Sequence, residues 1–280
     1  MDDFTVGRSV MLAPGVRRVV APNGGPLTGP GTNSYVLGDA ARVVLDPGPA
    51  EPAHLERLAA LCEGRCAFIA VSHTHPDHSP GAAPLAAALG VPLVGLPPPA
   101  AGPQDRSFRP DRVPADGQAC GFDGFELVAI HTPGHASNHV CWLLRPLNWL
   151  FTGDHLMGGS TVVIAPPDGN MNAYLASLRR LKSLPISQLA PGHGGVLGDP
   201  AAVVDGVIAH RLRREARVVT ALRAEQPATA DELVATVYAD TPVQLHPLAR
   251  LSLQAHLEKL VEDGRAVSSA DGRYRLHEAG

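Results

Sequence analysis

The chain has 280 residues, 45% of them hydrophobic and 18% charged, and a formal net charge of −4. That length fills one large domain and a small one, in an ordinary globular composition without a global basic field to draw in nucleic acid. No apolar run is long enough for a membrane span, and the opening residues lack the basic and apolar regions of an export signal, so a cytoplasmic protein is expected. The cysteines Cys62, Cys66, Cys120 and Cys141 show no disulfide-framework spacing. Cys62 and Cys66 read as neighbouring thiols at a helix end rather than as metal ligands.

In chain order, short strands punctuated by Gly and Pro fill the N-terminal third. Residues 35–37 and 42–46 read as a hairpin joined by Gly38 and Asp39. A helix is expected over residues 52–61, a strand over 67–72 and a second helix over about 80–89. Residues 92–95 make another short strand, and the Pro-rich stretch 96–114 reads as an irregular surface excursion. Three further apolar runs follow, at residues 125–130, 149–153 and 189–190. Between the last two, Tyr174, Leu175, Leu178 and Leu181 mark a helix over 171–184 that should pack on a sheet.

A boundary is expected near Asp199 and Pro200, dividing residues 1–200 from 201–280. A long helix over 201–224 leads away from it. Thr229 and Glu232 have capping-box spacing and open a helix running to residue 238. Leu253, Leu257, Leu260 and Val261 mark another helix, closed by Gly264. Residues 265–276 read as a hairpin turning at Asp271 and Gly272. Helix, helix, hairpin is the winged-helix order. Residues 200–280 hold ten Arg/Lys against eleven Asp/Glu, a net of −1, which argues against sequence-specific DNA binding. The cluster Arg211, Arg213, Arg214 and Arg217 is read as a solvated face before it is read as a phosphate contact.

The densest chemistry lies at His73-Thr74-His75-Pro76-Asp77-His78, directly after the strand over 67–72. Alternation along an extended segment lets His73 and His75 face one ion, while Asp77 and His78 reach a second as the chain turns. Imidazole with carboxylate suits zinc or a similar divalent metal. His135, Asp154 and His193 each stand where an apolar run opens into a Gly- or Pro-containing loop.

These residues, with Asp46 in Val43-Val44-Leu45-Asp46-Pro47-Gly48, resemble the motif series of the metallo-β-lactamase fold hydrolases over about the first 200 residues. The resemblance implies an α/β fold: an αββα four-layer sandwich, followed here by a C-terminal winged-helix domain. It implies that His73, His75 and His135 hold one metal, that Asp77, His78 and His193 hold a second, and that Asp154 bridges them. Two zinc ions per chain are expected, with manganese or iron as alternatives. Asp46 would be a buried residue orienting the ligand loops. His139 would sit behind the ligands, or donate to substrate. Residues 22–38 and 151–161 look like the β-lactamase-like protein 2 branch, which includes a metal-dependent endoribonuclease.

The resemblance further implies a metal-bridging hydroxide as nucleophile, with Asp77 as the catalytic residue that orients it and moves its proton. Three functions compete at this point. The first is a dinuclear zinc hydrolase cutting single-stranded RNA. The second is a hydrolase of a small thioester or lactone, as in glyoxalase II. The third is a non-catalytic winged-helix interaction protein with a vestigial site.

Overall fold

A computed structural model describes residues 3–159 and 161–277; Met1, Asp2, Ser160 (a member of the 151–161 motif) and Glu278, Ala279 and Gly280 lie outside the described residues. One sheet is built from β1 (Ser9–Ala13), β2 (Val16–Val20), β3 (Asn33–Leu37), β4 (Arg42–Leu45), β5 (Cys66–Ala70) and β6 (Leu93–Val94), in that spatial order. Its first four strands pair antiparallel, and β4, β5 and β6 pair in parallel. The parallel pairs need crossovers, supplied by α1 (Pro52–Cys62) and α2 (Ala82–Leu89). The second sheet comprises β7 (Ala119–Phe122), β8 (Phe125–His131), β9 (Val140–Arg145), β10 (Trp149–Gly153) and β11 (Gln188–Pro191). Only its β10–β11 pair is parallel, and α3 (Met171–Leu181) crosses between those two strands.

The layers follow from alternation along each strand. On β9, Val140, Trp142 and Leu144 point between the sheets, where they meet Tyr35, Leu37, Leu45 and Phe68 of the first sheet. Cys141 and Leu143 point the other way and pack on Tyr174, Leu175, Leu178 and Leu181 of α3. On the first sheet, Val36, Val44 and Ile69 turn outward onto Leu58 of α1 and Leu85 of α2. The central strands of both sheets are thus covered on both faces, which is why they read as unbroken apolar runs. This is the αββα sandwich that the sequence implied.

The four residues of α3 named from the sequence are all buried in that packing, and Asn170 caps the helix by accepting from the Ala173 amide at 2.8 Å. The helix ends three residues earlier than its pattern suggested, at Leu181. The sequence does not single out β7, because two of its residues are exposed and one is Gly. The 96–114 stretch is irregular as expected, but it is anchored. Phe108 is fully buried, and Gln104 accepts the Thr74 hydroxyl at 2.6 Å.

Beyond the sandwich run α4 (Pro200–Glu225), α5 (Ala230–Val237) and α6 (His246–Glu262), then the hairpin β12 (Ala266–Ser268) and β13 (Tyr274–Leu276). Both halves of the Thr229–Glu232 capping box are present. Val218 and Leu222 of α4, Leu233 of α5, and Leu253, Leu257 and Leu260 of α6 form a separate apolar core with Tyr274. The start of α4 belongs elsewhere: Val204 packs with α3, as does Ala255 of α6. One helix therefore runs from the sandwich core into the core of the small lobe.

Trp142 fills the inter-sheet core and donates its indole N–H to the Val71 carbonyl at 3.2 Å. Trp142→Ala should lower the unfolding free energy by about 3–5 kcal/mol. Urea denaturation measures it; a loss under about 1 kcal/mol would mean the two sheets are held together elsewhere.

Candidate metal centre

Five strand ends open at one edge of the sandwich, and each carries a residue singled out in the sequence. Asp46 follows β4, the His73–His78 motif follows β5, His135 follows β8, Asp154 follows β10 and His193 follows β11. The structure brings all seven expected ligands together in two groups. His73, His75 and His135 form one; Asp77, His78, Asp154 and His193 form the other. Within each group the ligand atoms lie within 4.8 Å of one another.

The inward-facing nitrogens are fixed by what the outer nitrogens touch. His135 Nδ1 meets the Val163 carbonyl at 2.8 Å, and a carbonyl only accepts, so Nδ1 carries the proton and Nε2 is a lone pair. His193 Nδ1 meets the Gly31 carbonyl at 3.3 Å, with the same consequence. Asp46 accepts three times: the Ser72 amide at 2.6 Å, the Ser72 hydroxyl at 2.6 Å and His78 Nδ1 at 3.0 Å. The Ser72 hydroxyl proton is spent on Asp46, so its oxygen accepts from His73 Nδ1 at 3.0 Å. One carboxylate thus orients both His73 and His78.

The freed lone pairs converge. His73 Nε2 lies 3.0 Å from His75 Nδ1, which lies 2.9 Å from His135 Nε2, and His78 Nε2 is 3.3 Å from His193 Nε2. Lone pairs at such separations repel unless a cation or protons lie among them. Asp154 places Oδ1 at 3.3 Å from both His78 and His193, and Oδ2 at 3.7 Å from His135. Its two oxygens reach both groups, and Oδ1 is buried without a hydrogen-bond donor. Asp77 Oδ2 is 3.1 Å from His193 Nε2. Converging imidazole lone pairs, a carboxylate spanning both groups and an orphaned buried oxygen fit a pair of borderline divalent cations.

Electrostatics divides the two groups. Burial first, then the neighbouring imidazoles, push His73 well below the usual histidine range, and burial pushes His75 down to about 3. Burial also opposes charge on His78, but Asp77 and Asp154 outweigh it and raise that histidine well above its ordinary value. The same balance, burial against Asp154 and Asp77, raises His193. Cation density is therefore favoured where the carboxylates are.

Local backbone explains the convergence. Asp46 takes a left-handed conformation, φ 49°, one that Asp tolerates better than most residues, and its side-chain hydrogen bonds hold it there. Gly153 also has a positive φ, 46°, and a Cβ there would stand 2.6 Å from Ser72 Oγ and 2.8 Å from His139 Nε2. His139 is fully buried, accepts the Asp154 amide at Nε2 (3.2 Å) and meets Thr132 Oγ1 with Nδ1 (2.9 Å). Both ring nitrogens are engaged, so it braces Asp154 and has no donor left for substrate. His155, the neighbour of Asp154, is fully buried as well.

Sequence reasoning passed over three contributors. Ser72 relays Asp46 to His73, and its only signal is its place before the histidine motif. The Val163 carbonyl, which orients His135, leaves no trace in residue type. Asn33, quoted only as part of a motif, clamps the His193 loop by donating to the carbonyls of Pro191 (2.9 Å) and Gly194 (2.8 Å).

His75, Asp77, His135 and Asp154 open onto a cavity of about 790 Å3. Its other walls come from Leu27, Pro49, Met157 and Val163 of the sandwich, and from Arg211, Tyr238, Leu245, Leu248 and Leu251 beyond it. Of the arginine cluster, Arg211 and Arg214 are buried rather than solvated, and Arg214 and Arg217 are both paired with Asp240.

Comparison with known proteins agrees with this geometry. Residues 27–193 match the metallo-beta-lactamase superfamily model, and residues 229–274 match the beta-lactamase associated winged helix domain. A beta-lactamase-like protein 2 homolog of Caenorhabditis elegans is 30% identical over 264 residues, covering 90% of this chain and 86% of its own. An atrochrysone carboxyl ACP thioesterase of Emericella nidulans is 30% identical over 275 residues, covering 93% and 83%. The crystal structure of a metallo-beta-lactamase family protein from Thermus thermophilus superposes with a TM-score of 0.78 at 24% identity, covering 95% of this chain and 100% of its own. With two-thirds of its length in the sandwich and a complete ligand cluster at its rim, this chain belongs to the metallo-beta-lactamase superfamily and is a metal-dependent hydrolase carrying the associated winged helix.

Proposed function

We propose that this chain hydrolyses an acyl thioester with an extended apolar acyl group, in the cytoplasm, with zinc at both metal positions. One observation carries the reading: the cavity that opens on the metal centre has a largely apolar wall, and part of that wall belongs to the winged helix. A site of this size and lining takes a small molecule or the arm of a carrier. Relatives at about this level of identity named as ACP thioesterases point the same way. Four free cysteines fit a reducing compartment.

RNA as substrate finds less support. A phosphate backbone calls for exposed basic groups. Two of the four clustered arginines are buried instead, and Asp240 neutralises a third. In the present reading, residues 1–200 carry the chemistry and 201–280 close the substrate cavity.

His73, His75 and His135 would hold one metal, and Asp77, His78 and His193 the other, with Asp154 between them. The chemistry such a pair supplies when bound is Lewis acidity toward the acyl oxygen and an acidified water. Asp77 lines the cavity with 27% of its side chain exposed. Burial works against its charge, but His78 and His193 hold the carboxyl below its ordinary range, so it is ionised and can accept a proton. It accepts the proton of the attacking water as the new C–O bond forms. When the C–S bond breaks, that proton goes to the departing thiolate, leaving a carboxylic acid and a thiol. Leu245, Leu248 and Leu251 would exclude water along the acyl chain, and Asp46 would keep His73 and His78 aimed.

Hydrolysis of octanoyl against acetyl thioesters of N-acetylcysteamine, and of single-stranded RNA, by the zinc-loaded chain tests the reading. Cleavage of octanoyl thioester at more than ten times the kcat/KM of acetyl is expected, an apolar pocket gaining about 1–3 kcal/mol per methylene at most. Leu248→Ala should erode that preference by about tenfold. RNA cleavage without thioesterase activity would overturn it. Asp77→Asn should lower kcat on the same thioester by about 10²–10⁴, with zinc content read separately by elemental analysis; a wild-type rate would remove Asp77 from proton transfer. Asp46→Asn should weaken zinc retention about 10–100-fold in competition with a graded chelator, and unchanged retention would show that His73 and His78 are aimed by something else.

A further inference from the structure

Midway along α4 stands a cation that lacks the usual partner. Arg211 is 3% exposed, yet among the described residues no carboxylate pairs with it. Its Nη2 donates to the Val162 carbonyl, its guanidinium lies 5.4 Å from the centre of the Tyr174 ring, and its Nε has no hydrogen-bond acceptor. Neighbouring cations of the small lobe are matched. Arg214 has Asp240 at 2.8 Å, Lys259 has Glu215 at 3.0 Å and Asp263 at 2.5 Å, and Arg265 also meets Glu215. A guanidinium withdrawn from water without an anion carries a desolvation cost that one carbonyl, the Tyr174 hydroxyl and its ring offset only in part.

Among the described residues, the surroundings supply no anion of their own to Arg211. His256 is fully buried with both ring nitrogens unpartnered. Burial first, then Arg211 and Lys259, push it down to about 3, so it remains neutral beside them. His210 and Arg214 line the same wall of the cavity as Arg211. At the other end of that cavity stand the metal-centre residues His75, Asp77, His135 and Asp154. Arg211 is also tied to them through the backbone, since it holds the carbonyl of Val162 and the next carbonyl, of Val163, orients His135. A planar guanidinium on the wall of a cavity is suited to a carboxylate or phosphate, and in an apolar cavity one such group sets the orientation of what binds.

We propose that Arg211 is an anion subsite of this cavity, which takes a carboxylate or phosphate that the substrate carries away from its scissile bond. The enzyme accordingly prefers anionic acyl thioesters to neutral ones, an extension that rests on the thioester reading. The anion has two sources: a carboxylate on the acyl portion, or a phosphate on the thiol portion.

Three thioesters separate them: octanoyl-N-acetylcysteamine (neutral), suberyl-N-acetylcysteamine (carboxylate on the acyl side) and octanoyl-phosphopantetheine (phosphate on the thiol side). The zinc-loaded full chain should show a kcat/KM at least about tenfold higher on one of the two anionic substrates than on the neutral one. Which one identifies the source. Arg211→Met should lower that anionic-to-neutral ratio by about ten- to a hundredfold, chiefly through KM, and Arg211→Lys should keep part of it. Calorimetric titration of suberate and of phosphopantetheine into wild type and Arg211→Met reads the subsite without turnover. Arg211-dependent binding of either by a chain that cleaves no thioester would keep the subsite and discard the thioester reading. A wild-type ratio near one, together with no Arg211-dependent binding of either anion, overturns the proposal. Equal losses on all three substrates in Arg211→Met would do so too, reducing Arg211 to a brace for the loop that orients His135.

Discussion

The convergence of imidazole nitrogens and carboxylates on one rim is the constraint from which the site follows. Each of His73, His78, His135 and His193 gives its outer nitrogen to an acceptor on its own side, a carbonyl or a hydroxyl–carboxylate relay. The inner nitrogens of His78 and His193 face each other across 3.3 Å, and those of His73 and His135 each stand about 3 Å from His75 Nδ1. The fold bears this because the strand ends are fixed by two sheets packed through a dry core, so the rings cannot rotate away without breaking buried hydrogen bonds. Asp46 is the centre of that restraint. It accepts from three donors, and its own backbone is left-handed to present it. A cluster suited to a pair of divalent cations is thereby tied to the integrity of the sheets that hold its rings.

Much of this was legible in the sequence, and the reason is geometric. Ligands at strand ends are announced by an apolar run that opens into a His- or Asp-bearing loop containing Gly or Pro, and His73, His135, Asp154 and His193 all obey that rule. The four-layer architecture was legible through the resemblance more than through periodicity, since strands covered on both faces lose the alternation that marks half-buried ones. The second layer of interactions was not legible. Ser72 and Asn33 are small polar residues whose roles depend on a distant partner, and a backbone carbonyl such as that of Val163 carries no residue signature. The arginine cluster of α4 misled for a related reason. Spacing on a helix tells which residues share a face, but not whether that face meets water or another helix. In this chain α4 is covered on the side where Arg211 and Arg214 lie.

The winged-helix order likewise predicts a topology and leaves the use of the lobe open. Its α6 turns Leu257 and Leu260 into the lobe's own core, while Leu248 and Leu251, near its start, face the cavity. The same helix reaches back to α3, where Glu262 accepts from Asn170 at 2.7 Å and from Asn172 at 2.8 Å. Asn170 caps α3 directly after the 165–169 turn, and Asp168 of that turn lines the cavity. The lobe is therefore attached to the catalytic rim by polar contacts on one side and by α4 on the other. Most of α6 is thereby covered, by its own lobe and by the sandwich.

The course of α4 gives the arrangement its rigidity. Val204 packs in the α3 core, Val218 and Leu222 pack in the small-lobe core, and Arg211 lies between these anchors on one uninterrupted helix. At about 1.5 Å per residue, seven residues separate Arg211 from each of Val204 and Val218 by about 10 Å of helix, too short a lever to swing independently. The loop that Arg211 holds is the loop that orients His135, so the cationic end and the metal end of the cavity are set by consecutive carbonyls, those of Val162 and Val163. A ligand spanning the two ends meets a fixed separation. Selectivity for its length then arises from the backbone between residues 162 and 163, and side-chain substitutions along the apolar wall can tune the fit without resetting that distance.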